Sequence, residues 1–193
     1  MSAFTALPRF SFDVAEGGMA AIPDPRLQAL AEYWFDRREN GMPPRRAAID
    51  PLDFPDLLPD LLMLDRIDTP EGDRFRYRLV GTRVGEHVGR ELTGQFLDEA
   101  LPPSYYEFVV LTHRLALRRG LPVYASSLYH DEGNTVNALT YRLVMPLRTT
   151  EAAADLIFVS QFWQRRNDRG YWTGNWMDLK PEITVIAPPA GAA

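Results

Sequence analysis

The sequence predicts an α+β domain: a five-stranded antiparallel sheet with helices packed on one face, preceded by an N-terminal amphipathic helix. Three observations carry that prediction. Two segments, 27–35 and 105–116, repeat apolar residues at helical spacing. Five segments, 61–67, 74–79, 122–129, 135–147 and 156–163, alternate or run apolar over strand lengths between turn signals. Strands follow strands through short turns, which favours antiparallel pairing and a layered α+β arrangement.

In chain order, residues 1–23 hold scattered Phe with Gly17, Gly18 and Pro23 and no sustained period, so they read as an arm of low intrinsic order. Asp24 then supplies an N-cap carboxylate and Pro25 suits the first helical position. Leu27, Leu30, Ala31, Trp34 and Phe35 follow at i, i+3, i+4, i+7 and i+8, the apolar stripe of a helix expected to stop near Asn40-Gly41, since Pro43-Pro44 cannot continue it. Pro51 and Pro55 keep 43–59 a turning connector. The run 61–67 breaks at Asp68-Thr69-Pro70-Glu71-Gly72-Asp73, and in 74–79 the period of two turns Phe75, Tyr77 and Leu79 inward and three arginines outward.

Gly81, Gly85, Gly89 and Gly94 punctuate short helical turns, and their spacing matches no phosphate-binding loop. Ser104 and Glu107 have capping-box spacing and open a second long helix, which Gly120 and Pro122 end. Three strands complete the core, with a turn at Asp131-Glu132-Gly133-Asn134 and a loop at 148–153. The domain organisation is therefore an arm at 1–23, one domain at 24–163, and a tail at 164–193 that holds Tyr171, Trp172, Trp176 and the short run 183–186.

Composition narrows the function. With 193 residues and 46% hydrophobic content, one well-sized core is expected. A net charge of -5 argues against nucleic acid, which demands clustered cations. The absence of cysteine excludes disulfides, thiolate-bound metals and thiol nucleophiles. No apolar stretch reaches membrane-spanning length and no targeting pattern opens the chain, so a cytoplasmic location without membrane contact is the expectation.

The order of elements is that of a PAS domain, and several strings in the right order resemble a bacterial subfamily of short stand-alone PAS proteins. They are Pro43-Pro44-Arg45-Arg46 with Ile49-Asp50-Pro51, Leu57-Leu58-Pro59-Asp60-Leu61, Phe75-Arg76-Tyr77-Arg78-Leu79-Val80-Gly81-Thr82, Gly89-Arg90-Glu91-Leu92-Thr93-Gly94 and Met145-Pro146-Leu147. The resemblance implies a sensory or interaction module, dimeric in many members, with a cavity between the long helix and the sheet. It implies no particular ligand, and the cofactor stays unassigned.

The candidate ligand-binding set follows from faces. Tyr105, Phe108, Val109 and Thr112 share a helical face and His113 flanks it. On the strands, alternation groups Leu139, Tyr141 and Leu143 with Tyr124, Ser126, Phe158 and Ser160. A space between these faces would be apolar with a few oriented hydroxyls, and a filled core would have the same lining. Leu27, Leu30, Trp34 and Phe35 offer more apolar surface than a small sheet covers, so a homodimer interface is expected there, with docking on the chain's own sheet as the alternative.

The function so predicted is a sensory module without an output domain, binding a small molecule, a protein partner or both, and not an enzyme. Two other readings stay open. His113 occupies the helix that carries the proximal histidine in haem-binding PAS domains, which would make a redox sensor. A small α+β enzyme would need a buried acid such as Asp98, or His113, for proton transfer.

Overall fold

The computed structural model describes residues 12–130, 136–165 and 180–189. The predicted turn at 131–134 and the tail aromatics Tyr171, Trp172 and Trp176 lie outside the described residues. Helix α1, Pro25–Phe35, starts where the Asp24 carboxylate accepts from the Arg26 backbone N–H at 2.8 Å. After a stretch of short 3₁₀ turns come strands β2, Leu61–Thr69, and β3, Gly72–Val80. Strand β1, Val14–Gly17, precedes them all. Helices α2, Thr82–Val88, α3, Leu97–Ala100, and α4, Pro103–Arg119, lead into β4, Val123–His130, β5, Val136–Leu147, β6, Leu156–Arg165, and β7, Glu182–Ile186.

These strands form one sheet of order β1-β7-β4-β5-β6-β2-β3. The sheet therefore has seven strands rather than five, and it is mixed, because β1 runs parallel to β7. Both added strands come from segments assigned to the arm and the tail. The pairing of β7 is backed by burial: Ile183, Val185 and Ile186 are almost fully enclosed and extend the sheet beyond β4, whereas β1 is an exposed edge strand. A run of so few apolar residues is too short to identify a strand by period.

The helices are also not confined to one face. Helices α2, α3 and α4 cover one side, where Val84, Leu97 and Phe108 pack with Leu64 and Val144. Helix α1 covers the other, where Leu27, Leu30, Ala31, Trp34 and Phe35 pack with Leu143, Met145 and Phe158. Leu27, Leu30 and Trp34 are 0% exposed and Phe35 is 4% exposed. The Trp34 indole N–H donates to the Pro146 carbonyl at 2.9 Å, satisfying its polar edge inside the core. The four residues expected at a homodimer interface are thus consumed within the chain, which corrects that assignment in favour of its alternative. One sheet face is enough to bury the whole stripe because β4, β5 and β6 all contribute apolar side chains to it.

Two local differences have simple causes. Leu79 is 41% exposed instead of facing inward, because a bulge shifts the register so that Leu64 opposes Tyr77 but Met63 opposes Leu79. Helix α4 starts at Pro103 with Pro102 at the cap and no side-chain cap bond, so Ser104 lies inside the first turn. Proline at the first helical position has no N–H in need of a partner. Among the described residues, no helix is long and apolar enough to cross a membrane.

Candidate functional site

A cavity lies between α4 and the central strands. Its enclosed free space is about 30 Å³, within about 480 Å³ of empty volume counted out to its solvent-open mouth. The roof is Tyr105, Val109 and His113 of α4, one turn apart along a single stripe. Val84 and Val88 of α2, Leu92, Leu97 and Leu101 close one side. Leu62, Leu64, Tyr77 and Val159 form an apolar floor, which Arg142, Gln161 and Trp163 complete with polar atoms.

Arg142 is the outstanding group. It is 1% exposed, and its neighbours across the sheet are Ala125 on β4 and Gln161 on β6. One guanidinium nitrogen donates to the Tyr105 hydroxyl and to Thr140 Oγ1, the latter at 3.3 Å. Thr140 is held in turn by its own donation to the Ser127 carbonyl at 2.9 Å. The guanidinium lies 5.1 Å from the Tyr105 ring centre and 5.7 Å from that of Phe108.

His113 sits beside it, 2% exposed. Its Nδ1 donates to the Val109 carbonyl at 2.8 Å, which fixes the tautomer and leaves Nε2 as the acceptor. Burial, and then the nearby Arg142 cation, push the imidazole down to about 3 despite the opposing carbonyl bond, so it is neutral at physiological pH. The folded pKa is below the unfolded value of 6.5, so its contribution to stability is complete above pH 6.5 and is lost as pH falls towards 3.

Denaturant titrations between pH 7 and 4.5 should therefore show wild type losing stability faster than His113→Gln, by at most about 1.4 kcal/mol per pH unit. Parallel pH profiles for the two proteins would refute the assignment. The difference between proteins is the needed readout because Asp60 acts the other way. Fully buried against Arg83, its carboxyl is pushed up by burial from 3.8 to about 6, so it weakens the fold as pH rises through that window.

Of the twelve residues expected to bind ligand, the cavity brings together Tyr105, Val109 and His113. Phe108 belongs to the adjoining core, edge-on to Phe12 at 5.4 Å, and Thr112 turns back to donate to the Val109 carbonyl at 2.7 Å. The seven strand residues are on the opposite face of the sheet from the cavity. Tyr124, Leu139, Tyr141, Leu143 and Phe158 pack under α1, and Ser126 and Ser160 share that face because they oppose Tyr141 and Leu143. Both faces of the sheet are covered, so strong apolar alternation marked the fully dry face rather than the cavity. Among the lining residues outside the expected set are Arg142, Gln161 and Trp163, and no residue period marks them: Arg142 shares β5 with Thr140 and Tyr141, and it is the covering of this face by α4 that buries it.

The residues of the rival readings are also placed. Asp98 is outside the cavity, held by Arg74 at 2.8 and 2.9 Å, and that bonding keeps its carboxyl below the usual range. No acid–base pair is therefore assembled with His113. The haem reading finds His113 lining the cavity, but the enclosed space is too small for a macrocycle as the side chains pack.

A sheet with a long helix across one face and a lined cavity beneath it defines a PAS-type module. Residues 23–160 match the family model described as PAS domain (PAS_5), most of the chain, and this chain belongs to that family. Among solved structures, a fungal LOV domain photoreceptor is similar, with 17% sequence identity and a TM-score of 0.42 over 73% of this chain and 92% of that one. No curated protein matches the chain.

Proposed function

We propose that this PAS domain is a sensory module that binds a small molecule in the cavity beneath α4 and relays its occupancy to a protein partner. The observation that supports the reading is the cavity itself, an apolar enclosure with a few convergent polar groups, which is the usual make-up of small-ligand sites. Relay is reasonable because α4 roofs the cavity and also packs on β4 and β5, so a change beneath it reaches the sheet. Self-association belongs to the same proposal, through a surface other than the buried stripe of α1.

The test is native mass spectrometry of purified protein together with a thermal-shift screen of small metabolites. Retained mass, or a concentration-dependent rise in Tm, is the expected result, since a ligand bound only by the folded state stabilises it. Protein with no added mass and no stabilising compound would overturn ligand sensing and leave protein interaction alone.

A further inference from the structure

We propose that the cavity selects a small monocarboxylate, with Arg142 as the counter-charge for the carboxylate group. This rests on the ligand-binding reading above and assigns its chemistry. Arg142 has no ion pair among the described residues, and no lining residue of the cavity is an acid. Its Nε is buried and has no hydrogen-bond partner. A buried cation without a counter-charge is strongly destabilising, so the site favours an anion. By contrast, Arg148, the other deeply buried arginine among the described residues, has Glu39 and Glu151 as counter-charges at 3.5 and 3.7 Å.

The surroundings of Arg142 suit one anionic group and little more. The Tyr105 hydroxyl and Thr140 hold one edge of the guanidinium, so its orientation is fixed before a ligand arrives. A second buried donor, the Trp163 indole N–H, also lacks a partner and lines the same space, stacked on the His87 ring at 4.3 Å. His113 is neutral and adds no second cation, so a single negative charge is balanced. Beyond Arg142, Gln161 and Trp163 the lining is Leu and Val with Tyr77, Tyr105 and His113, which suits a small, mostly apolar body. A planar carboxylate meeting a guanidinium is the pairing arginine makes best.

The test compares charged and neutral molecules of one shape. Benzoate and butyrate are titrated into the full chain beside benzamide and butyramide, with Tm and calorimetric Kd as readouts. The expected result is binding of at least one acid about tenfold or more tighter than its amide. Arg142→Met is expected to remove that preference while leaving the ligand-free protein at least as stable, because an unpaired charge has been replaced by an apolar chain of similar length. If amides bind as well as acids, or if Arg142→Met keeps the preference, the carboxylate assignment is overturned while the pocket reading stands. If wild type binds neither acids nor amides, the carboxylate assignment falls, and the metabolite screen decides the pocket reading separately. The wild-type comparison stands even if the variant misfolds.

Discussion

Trp34→Ala is expected to lower the unfolding free energy by about 3–5 kcal/mol, the usual cost of removing a large buried aromatic side chain. The indole is fully buried at the centre of the α1 contact, flanked by Phe35 at 5.1 Å between ring centres, and its N–H satisfies the Pro146 carbonyl. Losing it leaves both a cavity and an unpaired carbonyl in a dry interface. Much of the loss should be local to α1, because a helix of this length has little stability apart from its packing. Urea unfolding gives the free energy, and hydrogen exchange shows whether α1 amides lose protection first. A change below about 1 kcal/mol would mean that α1 contributes little to the fold.

Gly81→Ala is expected to cost about 3 kcal/mol, the upper end for forced overpacking, for a different reason. The backbone of Gly81 is ordinary, with φ −63°. What is missing is space: a Cβ would meet the Pro59 carbonyl oxygen at 2.3 Å, its carbon at 2.5 Å and the Leu58 oxygen at 2.7 Å. These are backbone atoms, which cannot rotate aside. Gly81 is also pinned by donation of its N–H to the Leu61 carbonyl at 2.7 Å. It leads directly into α2, so the adjustment would displace Val84 and Val88 at the cavity wall. Gly85→Ala is the control, because nothing lies within 4 Å of its added carbon and alanine favours the helix by up to about 1 kcal/mol. Equal Tm values for the two variants would contradict the close approach.

The contrast between what was and was not legible is sharpest on β5. Its length and the sites of its neighbours follow from residue period, as do the span of α4 and the start and buried stripe of α1, because buried stripes on helices repeat at a distinct interval; α1 itself ends at Phe35, short of the expected stop near Asn40-Gly41. Which face of the sheet meets the cavity does not follow. Leu139, Tyr141 and Leu143 form so strong a period-two pattern that they pointed to the cavity side, yet they serve the contact with α1. The informative residue was Arg142, whose burial no local pattern announces; only the fold reveals that α4 roofs it. Tyr105, Val109 and His113 were legible because a helix presents its buried stripe in one direction only. Strands β1 and β7 escaped because their stability comes from partners at the far end of the chain rather than from their own few residues.

That last pairing also bears on the order in which the molecule assembles. Strand β1 lies against β7, with Val14 opposite Ile183, so nearly the whole chain must be looped back before the two can meet. Closing so long a loop is entropically slow, whereas the β2–β3 hairpin and the neighbouring β4–β5 and β5–β6 pairs form between near segments. The parallel edge is therefore the closing clasp of the fold, set last during refolding and first to open, and while it is open β7 presents an unpaired strand edge to any other chain that meets it.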